Sequence, residues 1–122
     1  MGSHLIISTS IELVRIPPER IVYISSDGNY SMLIQADGET RMVSYQLGQI
    51  EKMIASQLDR DADMFVRIGK SLIINRLYIY YIDVTKQKLI LSDVRNFSHT
   101  VSASKEALKQ LKDLIEKEKG GY

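Results

Sequence analysis

The chain has 122 residues, 44% of them hydrophobic, with no cysteine and a formal net charge of +1. That size fits one domain with a real core and no need for a metal or disulfide staple. The lack of cysteine excludes disulfides, thiolate metal sites and cysteine nucleophiles. No apolar run approaches the roughly 20 residues that cross a bilayer, so no membrane insertion is expected, and the opening MGSHLIISTS does not read as a signal peptide. A reducing, cytoplasmic setting is compatible with this composition. The domain is expected to span residues 5–119, with residues 1–4 an appended remnant. Charge is uneven. Residues 1–61 hold 5 Lys/Arg against 8 Asp/Glu, and residues 62–122 hold 11 against 7. The second half can therefore present a local positive face.

In chain order, Leu5 to Ile7 and Ile11 to Ile16 read as strands, the second ended by Pro17 and Pro18, which cannot donate to a ladder. Ile21 to Ile24 is a branched and aromatic strand, Asp27-Gly28-Asn29 a turn, and Tyr30 to Ile34 the next strand. Asp37-Gly38 is the strongest hairpin signal, with Thr40 to Val43 as its return arm. The period then lengthens to 3.6. Leu47, Ile50, Met53, Ile54 and Leu58 share one helical face, with Ser44 as the expected N-cap. Asp59 to Asp63 is a polar break. Phe65 to Ile68 and Leu72 to Ile74 are strands around Gly69. Tyr78 to Ile82 and Lys88 to Leu91 follow, then a turn at Asp93 to Asn96 and an extended piece at Phe97 to Val101. The last helix carries Ala107, Leu108, Leu111, Leu114 and Ile115 on one face, with Ser102 or Ser104 as its cap and Gly120-Gly121 as its stop.

Catalytic raw material is sparse. His4 and His99 are the only histidines, and His99 beside Ser98 and Thr100 does not make a triad. Asp27, Asp37, Asp83 and Asp93 all fall in turns, where aspartate bonds nearby backbone N–H groups. No glycine-rich phosphate loop, metal set or cofactor motif is present. An enzyme is not expected, and neither a catalytic residue nor a cofactor is assigned. Tyr78, Tyr80 and Tyr81 read as cross-strand packing. The segment from Phe65 to Asn75 differs, because Arg67, Lys70 and the following Arg76 cluster around an apolar core interrupted by Gly69 and Ser71. Apolar residues there can anchor a loop while basic side chains reach phosphates.

Four blocks in order then point to a family. RIPPERIVYISSDGNYSMLI, VSYQLGQIEKMI, FVRIGKSLIINRLYI and TVSASKEALKQL resemble successive parts of the LytTR-type DNA-binding domain, the output domain of LytR/AlgR-type regulators. The resemblance runs from about Ile11 to Ile115. It implies a mostly β (α+β) fold, elongated, of small antiparallel sheets with peripheral helices including the C-terminal amphipathic one. It implies a sequence-selective, double-stranded DNA-binding transcription regulator that puts loops rather than a recognition helix into the major groove. It also implies two copies on paired repeats, and control by an upstream receiver or a separate regulator. By this resemblance the DNA-binding residues are Arg67, Lys70, Ser71, Arg95, Ser102, Ser104 and Lys105, with Gly69 and Asn75 supporting the site. Two positions depart from the family pattern. Gly69 stands where a histidine is frequent, and Ala103 where an arginine follows the serine. Those departures motivate the alternative of a protein-interaction or regulatory module that retains the fold without strong DNA binding.

Overall fold

The computed structural model describes residues 3–118, so the expected stop at Gly120-Gly121 lies outside the described residues. The fold mixes α and β: small antiparallel sheets with helices at their periphery. It divides into two compact units, the first ending at Leu77 and the second starting at Tyr78.

In the first unit, β1 (Leu5–Ser8) pairs with β2 (Leu13–Ile16) as a two-stranded sheet. Ile11 and Glu12 stay out of β2 because their N–H groups turn back to Thr9 Oγ1, at 3.3 and 3.1 Å. A five-stranded sheet follows, in the order β5 (Thr40–Val43), β4 (Tyr30–Gln35), β3 (Ile21–Asp27), β7 (Leu72–Asn75), β6 (Phe65–Ile68). The strand β3 runs on through polar Ser25, Ser26 and Asp27 because β4 pairs with each of them. The helix α1 (Leu47–Gln57) packs Leu47, Ile50 and Ile54 into a core with Leu5, Ile24 and Leu33.

The expected cap at Ser44 is corrected to Gln46. Its carbonyl accepts from Ile50 N at 3.1 Å, and its N–H donates to Gln49 Oε1 at 2.8 Å. A side chain three residues on therefore satisfies the cap backbone, a task Ser44 is two residues too early to share. The polar break becomes a 3-10 helix, Asp59–Met64. At the far end of α1, Gln57 donates through Nε2 to Ile6 O at 3.0 Å and accepts from Ile6 N through Oε1 at 2.8 Å.

In the second unit, β9 (Lys88–Ser92) lies between β8 (Ile79–Asp83) and β10 (Ser98–Ser102). The helix α2 (Lys105–Glu118) buries Ala107, Leu108 and Leu111. Leu89, Leu91 and Val101 supply the buried side chains of the sheet. Tyr78 falls in a 3-10 turn just before β8, and its ring meets Phe97 edge-on at 5.0 Å. The cap of α2 is Ser104, whose Oγ accepts from Ala107 N at 3.1 Å; Ser102 remains the last residue of β10.

Candidate nucleic-acid interface

Strand pairing in the first unit brings two turns to one end of the five-stranded sheet. Ser25 stands opposite Leu72, and Ser26 N donates to Ser71 O at 2.9 Å. The β3–β4 turn at Asp27–Tyr30 and the β6–β7 turn at Gly69–Ser71 are thus neighbours. Gly28 and Gly69 make both turns possible, at φ +65 and +58, where side chains are disfavoured. Gly69→Ala is expected to cost about 1 kcal/mol in urea unfolding without changing the slope of the transition.

Arg67 is the strut of the second turn. Its Nη1 pairs with Glu51 at 2.8 Å, and its Nη2 donates to Lys70 O at 2.9 Å. Both terminal nitrogens of the guanidinium are committed inside the protein, so Arg67 positions the turn rather than offering free charge. Lys70 and Ser71 are exposed, and the Lys70 ammonium has no partner among the described residues. Asn29 Oδ1 accepts from Gln46 Nε2 at 3.1 Å, which ties the first turn to the start of α1. Tyr30, 47% exposed, sits beside it and was not singled out from sequence. Only its adjacency to the Asp27-Gly28-Asn29 turn signals it, and that gains meaning once β3 and β7 are known to pair. Asn75 braces the opposite end of β7, where it is fully buried and bonded to Ile21 O at 2.9 Å.

In the second unit, Ser102, Ser104 and Lys105 follow one another at the end of β10 and the start of α2. Ser102 and Lys105 are exposed, and Gln87 Nε2 holds the segment by donating to Ala103 O at 3.3 Å. Arg95 belongs elsewhere. It lies in the loop before β10, whereas Ser102 ends that strand. Four strand steps, about 13 Å, separate Ser98 from Ser102. Within the second unit the expected set therefore splits between the Ser102–Lys105 segment and the Arg95 loop, while the Lys70 turn belongs to the first unit.

The Arg95 loop is tightly built. Asp93 Oδ1 accepts from Arg95 N at 2.9 Å, Asn96 N at 2.7 Å and Phe97 N at 3.1 Å. Desolvation is the largest single influence on the Asp93 carboxyl and pushes its pKa up. The bonds from Arg95, Asn96 and Phe97 N–H and from the Asn96 side chain together outweigh it and bring the value down to about 2. A depressed folded-state pKa contributes stability above the ordinary value of 3.8 that is lost as pH falls toward about 2. The amide protons of Arg95, Asn96 and Phe97 are expected to keep their protection at pH 4 and lose it progressively near pH 2. Protection that already fails at pH 4 would count against this arrangement. Asp37 and Asp83 play the same turn-closing part, accepting from Glu39 N and Lys86 N at 3.0 Å each. The sequence reading of Asp37, Asp83 and Asp93 as turn-closing residues therefore holds, whereas Asp27 is the last residue of β3 and pairs with Tyr30.

The family model described as the LytTr DNA-binding domain matches residues 12–116. The chain belongs to the LytTR DNA-binding domain family. No curated protein matches it. Among solved structures it is similar to the LytTR DNA-binding domain of a protein described as a methyl-accepting/DNA response regulator from Bacillus cereus, at 19% identity. That alignment covers 94% of this chain and 98% of the other, with a TM-score of 0.62. The LytTR match extends across both compact units, from the end of the β1–β2 turn to the last turns of α2. Among the described residues no three His, Asp or Glu side chains are grouped to hold a metal ion. No described helix is long and apolar enough to cross a membrane.

Proposed function

We propose that this chain is a sequence-selective, double-stranded DNA-binding module of a transcription regulator, reading the major groove with loops. The observation that carries the reading is the joining of the Asp27–Tyr30 and Gly69–Ser71 turns at one sheet end, with Lys70 unpaired there. A strand end that presents two rigid turns can lower side chains to base edges while its backbone stays clear of the phosphates. Lys70 donates to a phosphate or a guanine edge, Ser71 to a phosphate, and Tyr30 packs against the sugar or base rim. Arg67 and Gly69 hold that turn, and Asn75 holds the strand behind it. Ser102, Ser104 and Lys105 form a second contact segment, where the start of α2 favours an anion. Because Gly69 and Ala103 carry no group that can read a base, specificity rests on Lys70 and its neighbours. Two copies on paired repeats, and control by a receiver or a separate regulator, complete the reading, which belongs in the cytoplasm with the DNA.

The test is selection from random duplexes, then titration of the recovered duplex at two salt concentrations. Lys70→Ala is expected to weaken binding and to reduce the slope of log K against log salt by about 0.9, the loss of one phosphate contact. Arg20→Ala serves as the control. Arg20 pairs with Asp37 at the opposite end of the sheet, at 3.3 Å, so affinity and slope should hold. Equal losses in both variants would reduce the function to general charge attraction. No binding at low salt would favour the protein-interaction module instead.

A further inference from the structure

A cleft of about 420 Å³ opens at the end of the second unit where β9 turns into β10, lined by Tyr80, Ser92, Val94, Arg95, Asn96 and Phe97, together with Ser98. Three features of this place point to a ligand. First, it exposes apolar surface that folding alone does not reward: Val94 is 71% and Tyr80 62% exposed. Second, the Arg95 guanidinium has no partner among the described residues, although its backbone is fixed by Asp93. Third, Val94 is a β-branched residue at φ +69, a conformation such side chains resist. Ser92 Oγ holds it there by accepting from Val94 N at 2.8 Å while donating to Phe97 O at 2.7 Å. Strain of this kind persists where the surroundings enforce it, and it is concentrated at binding sites. Phe97 is itself backed by Tyr78 edge-on and by His99 at 5.6 Å, so the floor of the cleft is stiff.

We propose that this cleft docks an acidic peptide segment of a partner protein, with a carboxylate on Arg95 and an adjacent apolar side chain against Tyr80 and Val94. Charge selects the occupant. Arg95 offers a planar fork of N–H donors that suits a carboxylate, and the apolar walls beside it reward a leucine- or phenylalanine-sized neighbour. A duplex suits the cleft poorly. The exposed Val94 and Tyr80 beside Arg95 present apolar surface, which a sugar-phosphate backbone does not reward. The inference rests on the reading that the Ser102–Lys105 segment faces DNA, since the cleft sits at the other end of β10 and stays open while that segment is occupied.

The experiment is selection of displayed random peptides on the whole chain, followed by titration of the recovered peptides and amide chemical-shift mapping. Peptides with Asp or Glu next to Leu, Ile or Phe are expected, shifting the amides of Val94 to Ser98. Arg95→Glu should weaken them at least about tenfold, with a clearly smaller loss of duplex affinity. Val94→Gly, which frees the loop and keeps Arg95, should weaken them severalfold with no loss of melting temperature. Recovered peptides with no acidic preference, binding indifferent to Arg95→Glu, shifts elsewhere, or no recovered peptide at all would each overturn the proposal. So would a matching loss of duplex affinity in Arg95→Glu, which would return Arg95 to the DNA interface. A chain that binds no duplex yet takes these peptides through Arg95 would remove the DNA reading and leave the docking site standing.

Discussion

Replacing Asn75 with alanine is expected to lower the unfolding free energy by about 3 kcal/mol. Asn75 is fully buried among strands, and its side chain serves three backbone groups. Its Nδ2 donates to Ile21 O at 2.9 Å and to Pro18 O at 3.4 Å, and its Oδ1 accepts from Leu77 N at 2.9 Å. Alanine leaves these groups without their partner, and each buried polar group so orphaned costs about 1–3 kcal/mol. Asn75→Asp should do worse, because the carboxylate keeps only the acceptor role and faces two carbonyl oxygens. Urea unfolding followed by circular dichroism measures both. A loss below about 1 kcal/mol for the alanine variant would mean that water replaces the amide easily and that Asn75 is not the brace described here.

Leu108→Ala is the second large effect, also about 3 kcal/mol. Leu108 is fully buried on α2, in a unit whose buried apolar side chains are few: Leu89, Leu91, Val101, Ala107 and Leu111 are its companions. A small core relaxes poorly around a lost isobutyl group, so the transfer and cavity costs add. Amide exchange on β8, β9 and β10 reads the effect directly, and protection there should fall by a factor of about 100. Leu108→Met, which conserves volume, should cost less than about 1.5 kcal/mol. Equal losses from the two substitutions would point to backbone distortion instead of cavity formation.

Local pattern made much of the fold legible. Thr40 to Val43 and Phe65 to Ile68 are strands with the expected bounds, and the stripe Leu47, Ile50, Ile54 gives α1 its buried face. What pattern could not give is what partners impose. Ser25, Ser26 and Asp27 have no strand-forming side chains, yet they extend β3 because β4 offers them hydrogen bonds. Ser44 and Ser102 carry good capping hydroxyls, but the helices begin at Leu47 and Lys105, so Gln46 and Ser104 fall on the cap positions instead. For the site, sequence singled out the basic turn at Lys70, and the structure leaves Lys70 and Ser71 exposed. Sequence did not show that Arg67 is neutralised by Glu51, which lies 16 residues earlier and meets it only through α1 packing. That Arg95 and Ser102 lie at opposite ends of β10 follows already from the expected turn at Asp93 to Asn96 and the extended piece at Phe97 to Val101.

The Gln57 amide matters beyond the pair of bonds it makes. It gives the rim of β1 away from β2 what a neighbouring chain would otherwise supply, one donor and one acceptor at the spacing of a single residue, Ile6. A rim satisfied at Ile6 is a poorer template for a stranger's backbone along the apolar segment LIIS. One side chain on α1 thereby blunts an open strand edge.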